Sequence, residues 1–186
     1  MKSKKAQVAG QIFIYIIAIV VVGLIIAYGY SAIKSFSQKG EEVEYINLRT
    51  SIENSVKAIA SDYGSIKRPD FDIPGKYEMV CFVEKGLSAA TIDSAAICDR
   101  NAAATLMPGE ADKFFQPIVC SAWKTGRDDV FLIPDGSESF NLDTTIVISE
   151  TEPSASHHFL CLDVVNNKIK LQLKALGDRV EISSYE

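Results

Sequence analysis

The stretch "KKAQVAGQIFIYIIAIVVVGLIIAYGYSAIKSF", Lys4 to Phe36, decides how the rest of the chain is read. No charged side chain occurs between Lys5 and Lys34, a span of 28 residues whose centre, Ile12 to Ala27, is almost wholly aliphatic. A helix rises about 1.5 Å per residue, so roughly 20 apolar residues cross the hydrocarbon of a bilayer. This run exceeds that length with margin for tilt. A soluble core helix would show a polar face, and none exists here for over four turns. The segment therefore predicts a single membrane helix with the lipid bilayer as its partner. Gly23 and Ala27, four apart, would permit self-association through that helix.

The basic head Met1-Lys-Ser-Lys-Lys stands against a far flank with Lys34, Lys39 and then Glu41, Glu42 and Glu44. A short basic tail stays cytoplasmic under the positive-inside rule, which predicts residues 35–186 on the outer side of the cell membrane. An export signal cleaved near Ala27-Tyr28-Gly29 is the weaker alternative, because the apolar run is long for a signal peptide.

Beyond Lys5 there are 24 acidic against 16 basic residues, a formal charge of −8. Phosphate backbones require clustered Lys and Arg, so nucleic acid is excluded as a partner. The roughly 150 residues after the apolar run suit one domain with its own core. Its cysteines, Cys81, Cys98, Cys120 and Cys161, contain no Cys-x-x-Cys pair, and an even number outside the membrane suits two disulfides. Three connectivities are possible. The pairing Cys81 with Cys161 and Cys98 with Cys120 is preferred, because "MVCFV" and "FLCLDV" read as buried strands that could lie side by side and the loop from 98 to 120 is short.

Tyr45, Leu48, Ile52, Val56, Ile59 and Tyr63 recur at steps of three and four, predicting an amphipathic helix from about Glu41 to Tyr63 closed by Gly64. Gly40 separates it from the apolar helix, leaving one kinked rod or two hinged ones. "KRPDFDIPGK" then breaks the pattern. Strands are predicted at Glu78 to Val83, Asp129 to Ile133, Thr144 to Ser149, His158 to Val164, Lys168 to Lys174 and Arg179 to Ser183, with hairpin turns at Asn166-Asn167 and Gly177-Asp178. The alanine-rich middle, residues 86–120, reads as short helices and loops. The expected fold is α+β. It divides into a basic head and transmembrane helix (1–33), an amphipathic stalk (34–64) and an antiparallel β-rich extracytoplasmic domain (65–186).

No catalytic motif of known spacing occurs, and no enzyme activity, cofactor or metal site is expected. His157 and Cys161 would share one strand face, but roughly 13 Å apart along an extended chain, too far for a nucleophile and its base. Asp128-Asp129 and Asp70-Phe-Asp72 lack the spaced oxygen ligands of a calcium loop. Trp123 reads as a core or rim aromatic.

The run "KKAQVAGQIFIYIIAIVVVGL", followed by an amphipathic helix and a β-rich domain, resembles type IV pilins and archaeal pilin-like proteins over Lys4 to about Tyr63. That resemblance implies a peptidase cut near Gly10 and Gln11 and apolar helices bundled into a filament. The fifth residue after such a cut is Tyr15, where most pilins carry a glutamate. "YEMVCFVE" and "HHFLCLDVVNNKIKLQLKALGD" look like archaeal cell-surface proteins built as one anchor and a small β domain. The expectation is therefore a membrane-anchored, extracytoplasmic structural or binding protein of unknown ligand, with a filament subunit as the alternative.

Overall fold

A computed structural model describes residues 5–106, 111–134, 138–149 and 158–185. Among them are five helices and nine strands, in an α+β arrangement. In chain order they are α1 (Lys5–Ala60), β1 (Ile66–Lys67), β2 (Asp70–Asp72), β3 (Met79–Val83), α2 (Ala89–Asp93), α3 (Arg100–Leu106), α4 (Ala111–Phe114), α5 (Pro117–Thr125), β4 (Val130–Ile133), β5 (Glu138–Phe140), β6 (Ile146–Ile148), β7 (Phe159–Asp163), β8 (Lys168–Ala175) and β9 (Val180–Ser184).

The chain divides into two units, Met1–Val43 and Glu44–Glu186. In the first, Phe13–Lys34 is helical and long and apolar enough to cross a membrane. Gly40 has helical backbone, so α1 is not interrupted where a hinge was one option. The division at Glu44 places most of the segment expected as a separate stalk within the second unit. The reason is packing: Leu48, Ile52, Val56 and Ile59 form one face of α1 and are buried in that unit's core. The helix ends at Ala60, not Tyr63, and Tyr63 is exposed although the periodicity placed it on the buried face. Gly64 takes a left-handed φ of +81° and donates its N–H to Ala175 O, ending a turn that hands the chain to the sheet.

Two sheets build the second unit. One has the order β5-β4-β3-β7, antiparallel throughout. In the other, β8 pairs with β1 and β2 on one side and with β9 on the other, and β9 pairs in parallel with β6. That parallel pair departs from the purely antiparallel sheet expected. Parallel partners need a long crossover, which here passes through β7 in the other sheet and returns by the β8–β9 hairpin.

The alternation of side chains along β3 creates two cores. Val80 and Phe82 face the first, shared with α1, β6, β8 and β9; Met79, Cys81 and Val83 face the second, shared with α2, α3 and α5. On β4, Val130 and Leu132 go one way and Phe131 and Ile133 the other. Ala95 and Ala96 of the α2–α3 connection and Ala103 of α3 are buried in this second core. On β8, Ile169, Leu171 and Leu173 are buried while Lys168 and Lys170 are exposed, as their alternation predicts. Asn166 and Asn167 have φ of 53° and 58°, the two left-handed residues of a type I′ turn.

The strands β1 and β2 were not anticipated. They are one broken edge: Pro69 lies between them, cannot donate, and instead accepts the N–H of Leu171.

Truncating Ile52→Ala removes a side chain that is 0% exposed and should cost about 2–5 kcal/mol, whereas Ile46→Ala, half exposed on the same helix, should change stability by less than about 0.5 kcal/mol. Urea unfolding of the full chain in mild detergent, followed by Trp123 fluorescence, measures both. Equal losses would refute the assignment of the buried face.

Candidate functional site

The sequence pointed first to cysteines. Cys81 and Cys161 are directly opposite one another on β3 and β7, with sulfurs 1.96 Å apart; those of Cys98 and Cys120 are 2.08 Å apart. The second bond ties the α2–α3 connection to α5, alongside the hydrogen bond from Gln116 N–H to Ile97 O. Sequence separations of 80 and 22 correspond to roughly 3–5 kcal/mol each in a loop-closure model.

Of the two histidines, His157 lies outside the described residues. His158 has a left-handed φ of 57° and its Nδ1 is 2.7 Å from Glu84 Oε2. Sequence reasoning missed Glu84, which comes directly after β3 and looks like an ordinary surface acid. It is 8% exposed. Its Oε1 accepts the N–H of Ile148 on β6 at 2.6 Å, its own N–H donates to His158 O, and its carbonyl accepts Trp123 Nε1–H at 2.7 Å. One residue thus ties β3 to the other sheet, to β7 and to α5. The signal that could have found it is its place at the end of an unbroken apolar strand. Both carboxylate oxygens are engaged, and no Ser, Thr or Cys side chain bonds to His158 among the described residues, so the pair has the chemistry of a structural joint. Trp123 lies in the core, edge-on to Phe159.

Clefts on the second unit include two lined by described residues. The larger, about 590 Å³, lies between α1 (Glu44, Asn47, Leu48, Ser51) and the segment Asp70 to Gly75 with Asn167. Two of its acids have partners: Asp70 accepts from Tyr185 Oη and Asp72 pairs with exposed Lys168. The smaller, about 260 Å³, is lined by Lys85, Asp129, Asn141, Asp143, Thr144, Thr145 and Ile146. Asp129 is 2% exposed, and burial pushes its carboxyl above the usual aspartate range against the opposing pull of Lys85. Lys85 Nζ contacts both Asp129 Oδ1 and Asn141 Oδ1. Asp128, its neighbour, accepts from Ser139 Oγ instead. Among the described residues no three His, Cys, Asp or Glu side chains form a group that could hold a metal ion.

Gly10 and Gln11 lie within α1, as does Tyr15, which is exposed. Comparison of the chain with protein families, curated proteins and solved structures finds no match.

Labelling the unreduced chain with a thiol reagent should modify no cysteine, and peptide mapping should join Cys81 to Cys161 and Cys98 to Cys120. Four reactive thiols would overturn both pairings. Replacing Glu84→Ala leaves the Ile148 N–H without its acceptor and should destabilise the chain by roughly 1–3 kcal/mol in urea. An unchanged midpoint would remove Glu84 from its role as joint.

Proposed function

We propose that the protein is a single-pass membrane protein holding a disulfide-bonded structural or binding domain outside the cytoplasmic membrane. One observation carries this reading. Across Phe13–Lys34 even the least exposed large apolar side chains, Ile17 and Val21, are 46% exposed, so apolar surface covers the whole circumference of the helix. Such a surface is stable in hydrocarbon and not in water. The 22-residue length corresponds to about 33 Å of helix, sufficient for a hydrocarbon core of about 30 Å.

Two independent facts about the chain support the orientation. The short head carries three lysines before Ala6, favouring the cytoplasm for the N-terminus. Both disulfides lie beyond the helix, and disulfides persist in oxidising compartments. The domain then serves by binding or by structure, with clefts whose Asp70, Asp72 and Asp129 are each held by a partner within the chain.

A filament subunit is the second reading, favoured by α1: one helix, Lys5–Ala60, includes both the apolar span and the turns that fill the domain core. Apolar helices of neighbouring copies would then cover one another, and processing would fall near Gly10 and Gln11.

An epitope placed after Glu186 should be reached by antibody in intact cells, one placed before Met1 only after permeabilisation, and the chain should stay with membranes in alkaline carbonate. Reversed accessibility or release by carbonate would sink the anchored reading. If the C-terminal epitope remains surface-exposed while mass spectrometry of the mature chain finds a start near Gln11, the filament reading replaces it.

A further inference from the structure

We propose that the smaller cleft is a self-modifying site in which Lys85 and Asn141 join through a side-chain amide bond, with Asp129 as the acid and proton carrier. The proposal is independent of the membrane reading. It rests on three groups of complementary chemistry that meet at Lys85: its amine contacts both a primary amide and a carboxyl group 2% exposed. They come from three segments, Lys85 beyond the end of β3, Asp129 just before β4 and Asn141 just after β5. The pairing Phe82↔Val130 and Val130↔Phe140 holds those strand ends together.

The amide of Asn141 is prepared for attack. Its Oδ1 accepts the backbone N–H of Asp143 at 3.2 Å as well as Lys85 Nζ, so donors already point where negative charge would develop. Its Nδ2 donates to Asp143 Oδ1 at 3.4 Å, and Lys57 Nζ holds the other oxygen of Asp143 at 3.1 Å, which fixes the plane of the amide. Amines do not displace ammonia from amides in water at an observable rate. Held in place, reacting groups gain effective concentrations of about 10⁵–10⁸ M, and a buried carboxyl can take and return the proton. Burial raises the Asp129 carboxyl, which favours the protonated form that the step requires.

A proton passes from the Lys85 ammonium to Asp129. The free Nζ pair then attacks Cγ of Asn141, and the oxyanion on Oδ1 is held by the Asp143 N–H. A proton passes from Nζ to Nδ2, the Cγ–Nδ2 bond breaks and ammonia leaves. One amine and one primary amide become one secondary amide and ammonia, with no change of oxidation state. The product links β3 to the end of β5 across β4, while Cys81–Cys161 links β3 to β7, so covalent bonds would join three of the four strands of this sheet with β4 enclosed between two of them.

The test is mass spectrometry of the full chain, purified in detergent and with its disulfides reduced. The expected mass is lower than that of the sequence by one ammonia, trypsin should not cut after Lys85, and the peptide carrying Lys85 should be joined to the one carrying Asn141. Lys85→Arg should restore the sequence mass and lower the melting temperature. A wild-type chain of full mass that is cut after Lys85 overturns the proposal whether or not any variant folds. A loss of one water with Lys85 joined to Asp129 also overturns it, because the acceptor would then be the acid.

Discussion

Strand β3 is the constraint on which the second unit depends. All five of its residues are buried, and its side chains alternate between two separate apolar cores. A strand with both faces buried reads as an unbroken apolar run, "MVCFV", because neither face can be polar. Each of its large side chains contributes roughly 1.5–3 kcal/mol by leaving water. The same geometry removes any freedom of register. A shift by one residue would exchange the contents of the two cores, putting Phe82 against the alanine-lined helices and Cys81 away from Cys161.

The burial of β3 also governs the residues just beyond it. The chain leaves the sheet still enclosed, so the next two residues, Glu84 and Lys85, bring charge into a place with little water. Each is satisfied in a different way. Glu84 takes a backbone N–H of β6 and His158, and so uses its carboxylate to fasten the neighbouring sheet. Lys85 turns toward Asp129, whose carboxylate it meets in the small cleft. Breaking either arrangement from one side leaves a buried polar group without its partner, which costs more than the intact contact contributes.

Strands β3, β4, β7, β8 and β9, the apolar run that contains β6, the α+β class and the hairpin at Asn166-Asn167 were legible because their signals are local: alternation, apolar runs and turn residues that tolerate positive φ. The short edges β1, β2 and β5 were not, since two or three residues carry no period and their existence depends on β8 and β4 being there to pair with. Tyr63 shows the limit of helical periodicity. It sits at the correct step for the buried face, yet the helix ends three residues earlier and the turn to Gly64 points it outward. The polar groups of the site were hidden for a related reason. Glu84, Lys85, Asp129 and Asn141 are common surface residues in composition, and only the pairing of β3, β4 and β5 brings the last three together.

A chain of this composition faces opposite demands in its two units. The first carries apolar surface all around a helix. A bilayer or a bundle of identical helices would satisfy it. The second unit is held by what it builds into itself. Two separate cores, one on either face of a four-stranded sheet, gain from bonds that solvent cannot compete with. The crosslinks between Cys81 and Cys161 and between Cys98 and Cys120 both fall in the second core, the one with fewer buried residues. Covalent fastening therefore adds to packing in the half of the domain that has less of it.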